Sequence, residues 1–268
     1  MRILIKIGSS LLNKDNKFNT ELVRSKIKEI SELYKKGNEI ILVSSGAIAC
    51  GMEVENIQER PKEVLKLQLL SGEGQIALMK NYKELFERES IRISQILLTH
   101  HNFDTYEEKK EIVKIINEYL NEKVIPIINE NDLVNKEELQ SGNLFTDNDI
   151  LAALVAKELD VNLVVILSDV NGLYDINPKK NKNAKLIEVI DEINTKIKES
   201  ASKDTNSLGL GGMHSKITAA DMLTKEGINM IIGNGNKNIL DIISNKVKRT
   251  LFIGKRALSN HTQESFLQ

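Results

Sequence analysis

The sequence predicts a mostly parallel β-sheet covered on both sides by helices, and three observations carry that prediction. Short runs rich in Ile and Val recur along the chain, helix-period stretches separate them, and no repeat or Gly/Ser-rich linker divides the 268 residues into independent pieces. Alternation of this kind is what parallel strands joined by crossover helices require, and strands buried on both faces read as continuous apolar runs.

In chain order, "ILIKI" at 3–7 opens the sheet and a helix-period stretch follows at 20–36. "EIILVSS" at 39–45 is the second strand, followed by a helix at 74–88, and "RISQILL" at 92–98 is the third, followed by a helix at 105–121. "VIPII" at 124–128 leads to a helix at 147–159, "LVVILS" at 163–168 comes next, and a helix at 213–226 precedes "MIIG" at 230–233. Only Pro61, Pro126 and Pro178 interrupt the chain, so one continuous domain is expected.

Composition excludes several classes of function. With 37 Lys and Arg against 38 Asp and Glu, the net charge of −1 gives no global field toward nucleic acid or an anionic membrane. The single cysteine, Cys50, excludes an internal disulfide and lacks the companions a zinc or redox motif needs, which fits a reducing cytoplasm. "MRILIKIGSSLL" is apolar but broken by Arg2 and Lys6 and has no cleavage site, so it reads as a strand and not a signal peptide. No run reaches the ~18 apolar residues of a membrane span.

Ligands of such a sheet collect beyond the carboxyl ends of the strands, and the unusual residues sit there. "KIGSS" (6–10), "SSGAIACG" (44–51), "NENDLV" (129–134) and "SDVNGLYDINP" (168–178) each follow a strand. Any one of them reads more readily as a capping or turn segment than as a site, whereas their recurrence on one edge points to a site. Lys6 is a charge inside an apolar run, which needs a partner at the strand end unless the strand lies at an edge and the ammonium reaches water. Gly46 lets backbone N–H groups at a helix start approach an anion, with the hydroxyl of Ser45 beside it.

Asn129, Glu130, Asn131, Asp132, Asp147, Asn148 and Asp149 gather within a short stretch that has no cysteine and no suitably spaced histidine. That excludes a transition-metal site of ordinary type, and the D-x-[DN]-x-[DN]-G pattern of a Ca²⁺ loop is absent. Asp accepts from an ammonium and Asn amides donate to a carboxylate, so together they suit the two ends of an amino acid. Finally, "LGLGGMHSK" (208–216) is no P-loop, because Met213, His214 and Ser215 separate Gly212 from Lys216. Its glycines free the backbone to approach an anion at the start of a helix, and a lysine in that first turn is unfavourable unless an anion is present.

The segments "KIGSSLL", "VSSGAIACGM", "PIINENDLV", "FTDNDILAALVA", "LSDVNGLYDINP" and "GLGGMHSKITAAD", in this order and spacing, resemble the amino acid kinase family over about residues 2–255. "INEND" and "DND" resemble the subgroup that acts on glutamate. The resemblance implies a three-layer α/β/α sandwich with a kinase domain over 1–257, its amino-acid lobe about 1–160 and its ATP lobe about 161–257, and a short polar tail at 258–268. It implies phosphoryl transfer from ATP to the side-chain carboxylate of L-glutamate, giving L-glutamyl 5-phosphate for proline biosynthesis in the cytoplasm. Ser45, Asp132 and Asn148 would bind glutamate, with Asn129 and Asp147 close by. Ser168 and Asp169 would contact the nucleotide, and Leu210, Gly211, Gly212, Met213, His214, Ser215 and Lys216 would close over its phosphates.

On that reading Lys6 and Lys216 clamp the transferring group, Asp149 orients both ammonium groups, and Gly8 and Gly46 donate backbone N–H groups. Mg²⁺ would ride on the ATP phosphates without a direct protein ligand. Proline, which shares an α-carboxylate and a cationic nitrogen with glutamate, would compete for the same pocket, and a dimer or tetramer is the family expectation. The chain departs from the family's G-T-G-G-M loop at Leu210, and it ends without room for the carboxyl-terminal PUA domain of many members. N-acetylglutamate, aspartate or carbamate kinase activity, or a nucleotide-binding regulatory protein without catalysis, are the alternatives.

Overall fold

The computed structural model describes residues 1–14, 17–134, 148–178, 180–195, 197–198 and 212–255. Its centre is an eight-stranded sheet of order β5-β6-β4-β1-β7-β9-β10-β8. The strands are β1 (Arg2–Ile7), β4 (Glu39–Ser44), β5 (Arg92–Leu98), β6 (Val124–Glu130), β7 (Leu163–Ser168), β8 (Val189–Ile190), β9 (Asn229–Asn234) and β10 (Arg249–Phe252), while β2 (Asn13–Lys14) and β3 (Lys17–Phe18) form a separate hairpin. All pairings in the sheet are parallel except that of β9 with β10. The predicted sheet is therefore present, extended by two short strands that the apolar runs did not announce.

The helices are α1 (Ser9–Leu12), α2 (Thr20–Lys35), α3 (Ala47–Val54), α4 (Val64–Glu87), α5 (Tyr106–Asn121), α6 (Asn148–Glu158), α7 (Met213–Lys225) and α8 (Ile239–Ile243). Local chemistry starts them. The Asn19 side chain accepts from the Leu22 N–H to cap α2, the Thr105 side chain accepts from the Glu108 N–H to cap α5, and Glu21, Glu107 and Glu108 lie in first turns, where the helix dipole favours acids. The α4 helix begins ten residues before the predicted stretch, through "SGEG" at 71–74. Ser and Gly are poor helix formers, but here they are contact residues. A Cβ on Gly74 would lie 1.8 Å from the Ala47 carbonyl oxygen, and one on Gly51 would lie 2.0 Å from that of Leu70, so α3 and α4 touch backbone to backbone.

Two cores flank the sheet. Ile3, Ile5 and Ile7 face α2, α4 and α8, together with Val23, Ile27, Tyr82, Phe86, Ile239 and Ile242. Leu4 faces the opposite core with Ile150, Leu151, Ile217 and the alanines 152, 153, 156, 219 and 220 of α6 and α7. Side chains alternate faces along a strand, so Lys6 points to the same side as Leu4, beneath α6 and α7. The edge alternative for Lys6 is corrected: β1 is central, paired with β4 and β7, and Lys6 is buried. The edges are β5 and the short β8, and β5 is mostly half-exposed, with Arg92 and Gln95 exposed.

Candidate active site

Successive strands are added on opposite sides of β1, with β4 on one side and β7 on the other, which leaves a crevice beyond their carboxyl ends. Gly8 closes its floor. Its N–H donates to the Leu167 carbonyl at 3.2 Å, and a Cβ there would stand 3.1 Å from that oxygen and 3.9 Å from the Lys6 ammonium. Glycine thus keeps the wall beside Lys6 open.

The centre of the crevice is a carboxylate held between two lysines. Asp149, in the first turn of α6, is 0% exposed; its Oδ1 lies 2.6 Å from Lys6 Nζ and its Oδ2 lies 2.9 Å from Lys216 Nζ. Ser215 Oγ lies 3.2 Å from Oδ2 and donates to the Gly212 carbonyl at 2.8 Å. Burial pushes the Asp149 carboxyl upward, but Lys216 and Lys6 more than reverse this and bring it down to about 2. The carboxylate is therefore ionised at neutral pH, and both ammonium groups are fixed by it. Small residues in α6 and α7, Ala152, Ala153 and Ala156 with Ala219 and Ala220, let the two helices pack closely enough for this to happen.

Beside this unit, Asn148 Nδ2 donates to Ser45 Oγ at 3.1 Å, joining the start of α6 to the loop after β4. The Asn148 side-chain oxygen Oδ1 is buried with no hydrogen-bond partner among the described residues. Gly46, at φ 105°, occupies the left-handed region and turns the chain into α3. Asp132 is half-buried in the turn beyond β6. Asn129 is tied inward: its amide nitrogen donates to Gln75 Oε1 at 2.9 Å and its oxygen accepts from the Glu130 N–H at 2.9 Å. Across the crevice, Ser168 is buried at the end of β7 with its hydroxyl 3.3 Å from Asp169 Oδ1, and Asp169 is exposed. Gly212, Met213 and His214 start α7 beside Lys216, and His214 Nδ1 is buried without a hydrogen-bond partner among the described residues. Asp147, Leu210 and Gly211 lie outside the described residues.

The sequence pattern of the amino acid kinase family matches residues 1–234. This chain belongs to the amino acid kinase family. Among relatives, a glutamate 5-kinase of Clostridium acetobutylicum is 40% identical over 260 residues, 95% of each chain. One from Ligilactobacillus salivarius is 39% identical over 94% of this chain and 95% of its own, and one from Thermoanaerobacter sp. (strain X514) is 37% identical over 97% of this chain and 70% of its own. Among solved structures, an isopentenyl phosphate kinase superposes with a TM-score of 0.64 at 18% identity, covering 94% of this chain and all (100%) of the other. A carbamate kinase from Giardia lamblia bound to AMP-PNP gives 0.65 at 16% identity, covering 94% and 98%. At those identities the superpositions establish the amino acid kinase fold, in keeping with the expected sandwich.

Several residues that touch the loops of the candidate site carry no sequence signal. Tyr82, Gln68 and Gln75 on α4 reach its loops, and Asn171 and Asn234 hydrogen-bond to each other at 3.2 Å beside Ser168. Isolated Gln and Tyr residues in a helix match no motif, and an Asn pair that joins the loop after β7 to the end of β9 is invisible until the strand order is known.

Proposed function

We propose that this chain transfers the γ-phosphoryl group of ATP to the side-chain carboxylate of L-glutamate, giving L-glutamyl 5-phosphate. The observation that carries the reading is the Lys6–Asp149–Lys216 unit, with both ammonium groups buried on one carboxylate at the crevice. The named activity of the relatives, at 34% to 40% identity over most of their length, supports glutamate as acceptor.

Transfer from a triphosphate to a carboxylate crowds anions together, so catalysis rests on positioning and on charge stabilisation. Lys6 would meet the group from the β1 side and Lys216 from the α7 side, and Asp149 would hold both heads at fixed separation. Gly8 and Gly46 would give backbone N–H groups. No general base is required, because the acceptor carboxylate is ionised near pH 7. The half of the chain up to the start of α6 would hold glutamate through Ser45, Asp132 and Asn148, the Asn148 side-chain Oδ1, which has no hydrogen-bond partner among the described residues, accepting from the α-ammonium. The later half would hold ATP at Ser168, Asp169 and the start of α7. Asp149 is committed to two lysines, and no cluster of three or more His, Cys, Asp or Glu fit for a metal occurs among the described residues. Mg²⁺ in this reading arrives on the triphosphate, where it neutralises phosphate charge.

A coupled assay of ADP release with a panel of small acids tests the assignment. Turnover with L-glutamate and not with N-acetylglutamate or carbamate is expected, because Asp132 offers an anion to a free α-ammonium that both of those lack; aspartate has that ammonium, but its side chain is one methylene shorter and leaves its carboxylate short of the transferred group. Equal rates on N-acetylglutamate refute it. Proline would occupy the same pocket, so its inhibition should be relieved by saturating glutamate; an effect on kcat alone places the inhibitor elsewhere. A cytoplasmic homo-oligomer completes the proposal. No described helix is long and apolar enough to cross a membrane.

A further inference from the structure

The polar residues of α4 form a stripe at helical spacing, Gln68, Gln75 and Tyr82, and all three are buried. Each reaches a different part of the amino-acid side of the crevice. Gln68 Nε2 donates to the Leu133 carbonyl at 2.8 Å, one residue beyond Asp132, and the Leu133 side chain packs against Gly72 in the next turn. Gln75 Oε1 accepts from Asn129 Nδ2 at 2.9 Å, and Asn129 in turn accepts from the backbone N–H of Glu130. The Tyr82 hydroxyl lies 2.8 Å from Ser44 Oγ, which donates to the Ser45 carbonyl at 2.9 Å. Ser45 Oγ is the atom that accepts from Asn148.

We propose that α4 is the positioning element of the acceptor site: Gln68 and Gln75 fix the turn that carries Asp132, and Tyr82 fixes the loop that carries Ser45, so that one rigid helix sets the distance between them. The proposal rests on the reading of L-glutamate as acceptor and deepens it. Its physical basis is that buried amides and hydroxyls without partners are costly, so each bond is a specific constraint on the loop it reaches. Backbone contact of α4 with α3 at Gly74 and Gly51 anchors the helix to the segment that follows Gly46, which keeps the whole frame stiff. The three residues touch no reacting atom in this account and act only through Asp132 and Ser45.

The directions of the bonds give the test. Gln75 works as an acceptor and Gln68 as a donor, and a glutamate carboxylate can replace only the first role. Gln68→Glu should raise the L-glutamate KM about fivefold or more while the ATP KM stays close to wild type. Gln75→Glu should perturb the glutamate KM less than Gln75→Leu does. A residue needed only for packing would respond to Glu alike at both positions. Tyr82→Phe, which removes one oxygen and keeps every apolar contact, should raise the glutamate KM in the same selective way and guards against loss of folding in the other variants. Glutamate turnover by the wild type with unchanged glutamate KM in Gln68→Glu and Tyr82→Phe overturns the positioning role alone. Absence of glutamate turnover in the wild type overturns the acceptor assignment and the positioning role with it.

Discussion

Replacing Asp149 by Asn keeps the shape of the side chain and removes the charge on which two buried lysines depend. The Lys6 and Lys216 side chains are 4% and 7% exposed, so water cannot substitute for the carboxylate. Removing one member of a buried ion pair costs about 3–5 kcal/mol, against a total stability of about 5–15 kcal/mol for a typical protein. The midpoint of thermal unfolding should fall by roughly 10 °C. Turnover should fall at least ~10²-fold, since the lysines lose their common anchor. Mg²⁺-free ATP should raise the melting temperature of Asp149→Asn more than that of the wild type, because the triphosphate supplies the anion the variant lacks.

The same carboxylate predicts a pH dependence. Its folded-state value is depressed from 3.8 to about 2, so its stabilisation is fully present above the unfolded value and is lost as pH falls from about 4 through about 2. The depression corresponds to about 2 kcal/mol. Denaturant melts of both proteins between pH 7 and pH 2 test this. Wild type should lose part of its advantage over Asp149→Asn across the acid window. A variant that melts with the wild type at pH 7, or turns over at the wild-type rate, refutes the assignment of Asp149 as the anchor.

Lys6→Ala and Lys216→Ala should each lower kcat at least ~10²-fold while the protein stays folded by circular dichroism, and wild-type turnover in both removes the two-lysine mechanism. Asp132→Ala should raise the glutamate KM by about tenfold or more and leave that of ATP nearly unchanged; parallel rises in both would place Asp132 outside the acceptor pocket. Gly74→Ala puts a methyl 1.8 Å from the Ala47 carbonyl oxygen and should cost at least about 2 kcal/mol in a urea melt, with a neutral result showing that α3 and α4 do not touch there.

Much of this arrangement is legible in the sequence because the strands announce themselves and the site lies where strands end. Lys6, Asp149 and Lys216 could each be noticed, yet their meeting could not be derived from spacing. Asp149 stands in a run of Asx residues that together suit the two ends of an amino acid, and the course of α6 from Asn148 turns it inward, toward Lys6 and Lys216. The run "RISQILL" groups with the buried strands, yet its Arg92, Ser94 and Gln95 are the polar residues of an edge strand, and only the strand order shows that β5 has one neighbour. The first ten residues of α4 were hidden for the opposite reason: Ser71 and Gly72 disfavour a helix locally, and the helix runs through them where Leu70 meets Gly51 of α3 backbone to backbone. Tertiary contact overrides propensity at these positions.

The electrostatic field at the crevice has two kinds of source, and they fail differently under mutation. The positive ends of α6 and α7 both point at the carboxyl edge of β1, and the backbone supplies them whatever the side chains are. An acid in the first turn of α6 is favoured by that field, whereas Lys216 in the first turn of α7 stands against it and is held there by Asp149. A triphosphate therefore meets helix ends and open backbone N–H groups even when one lysine is gone, which preserves part of its ground-state binding. What the lysines and Asp149 add is charge at defined points on either side of a group that is moving between two anions, a demand that peaks in the transition state. Lysine variants should accordingly lose far more in kcat than in ATP affinity, a consequence of a fold that builds anion binding from backbone and reserves its buried charges for the transfer.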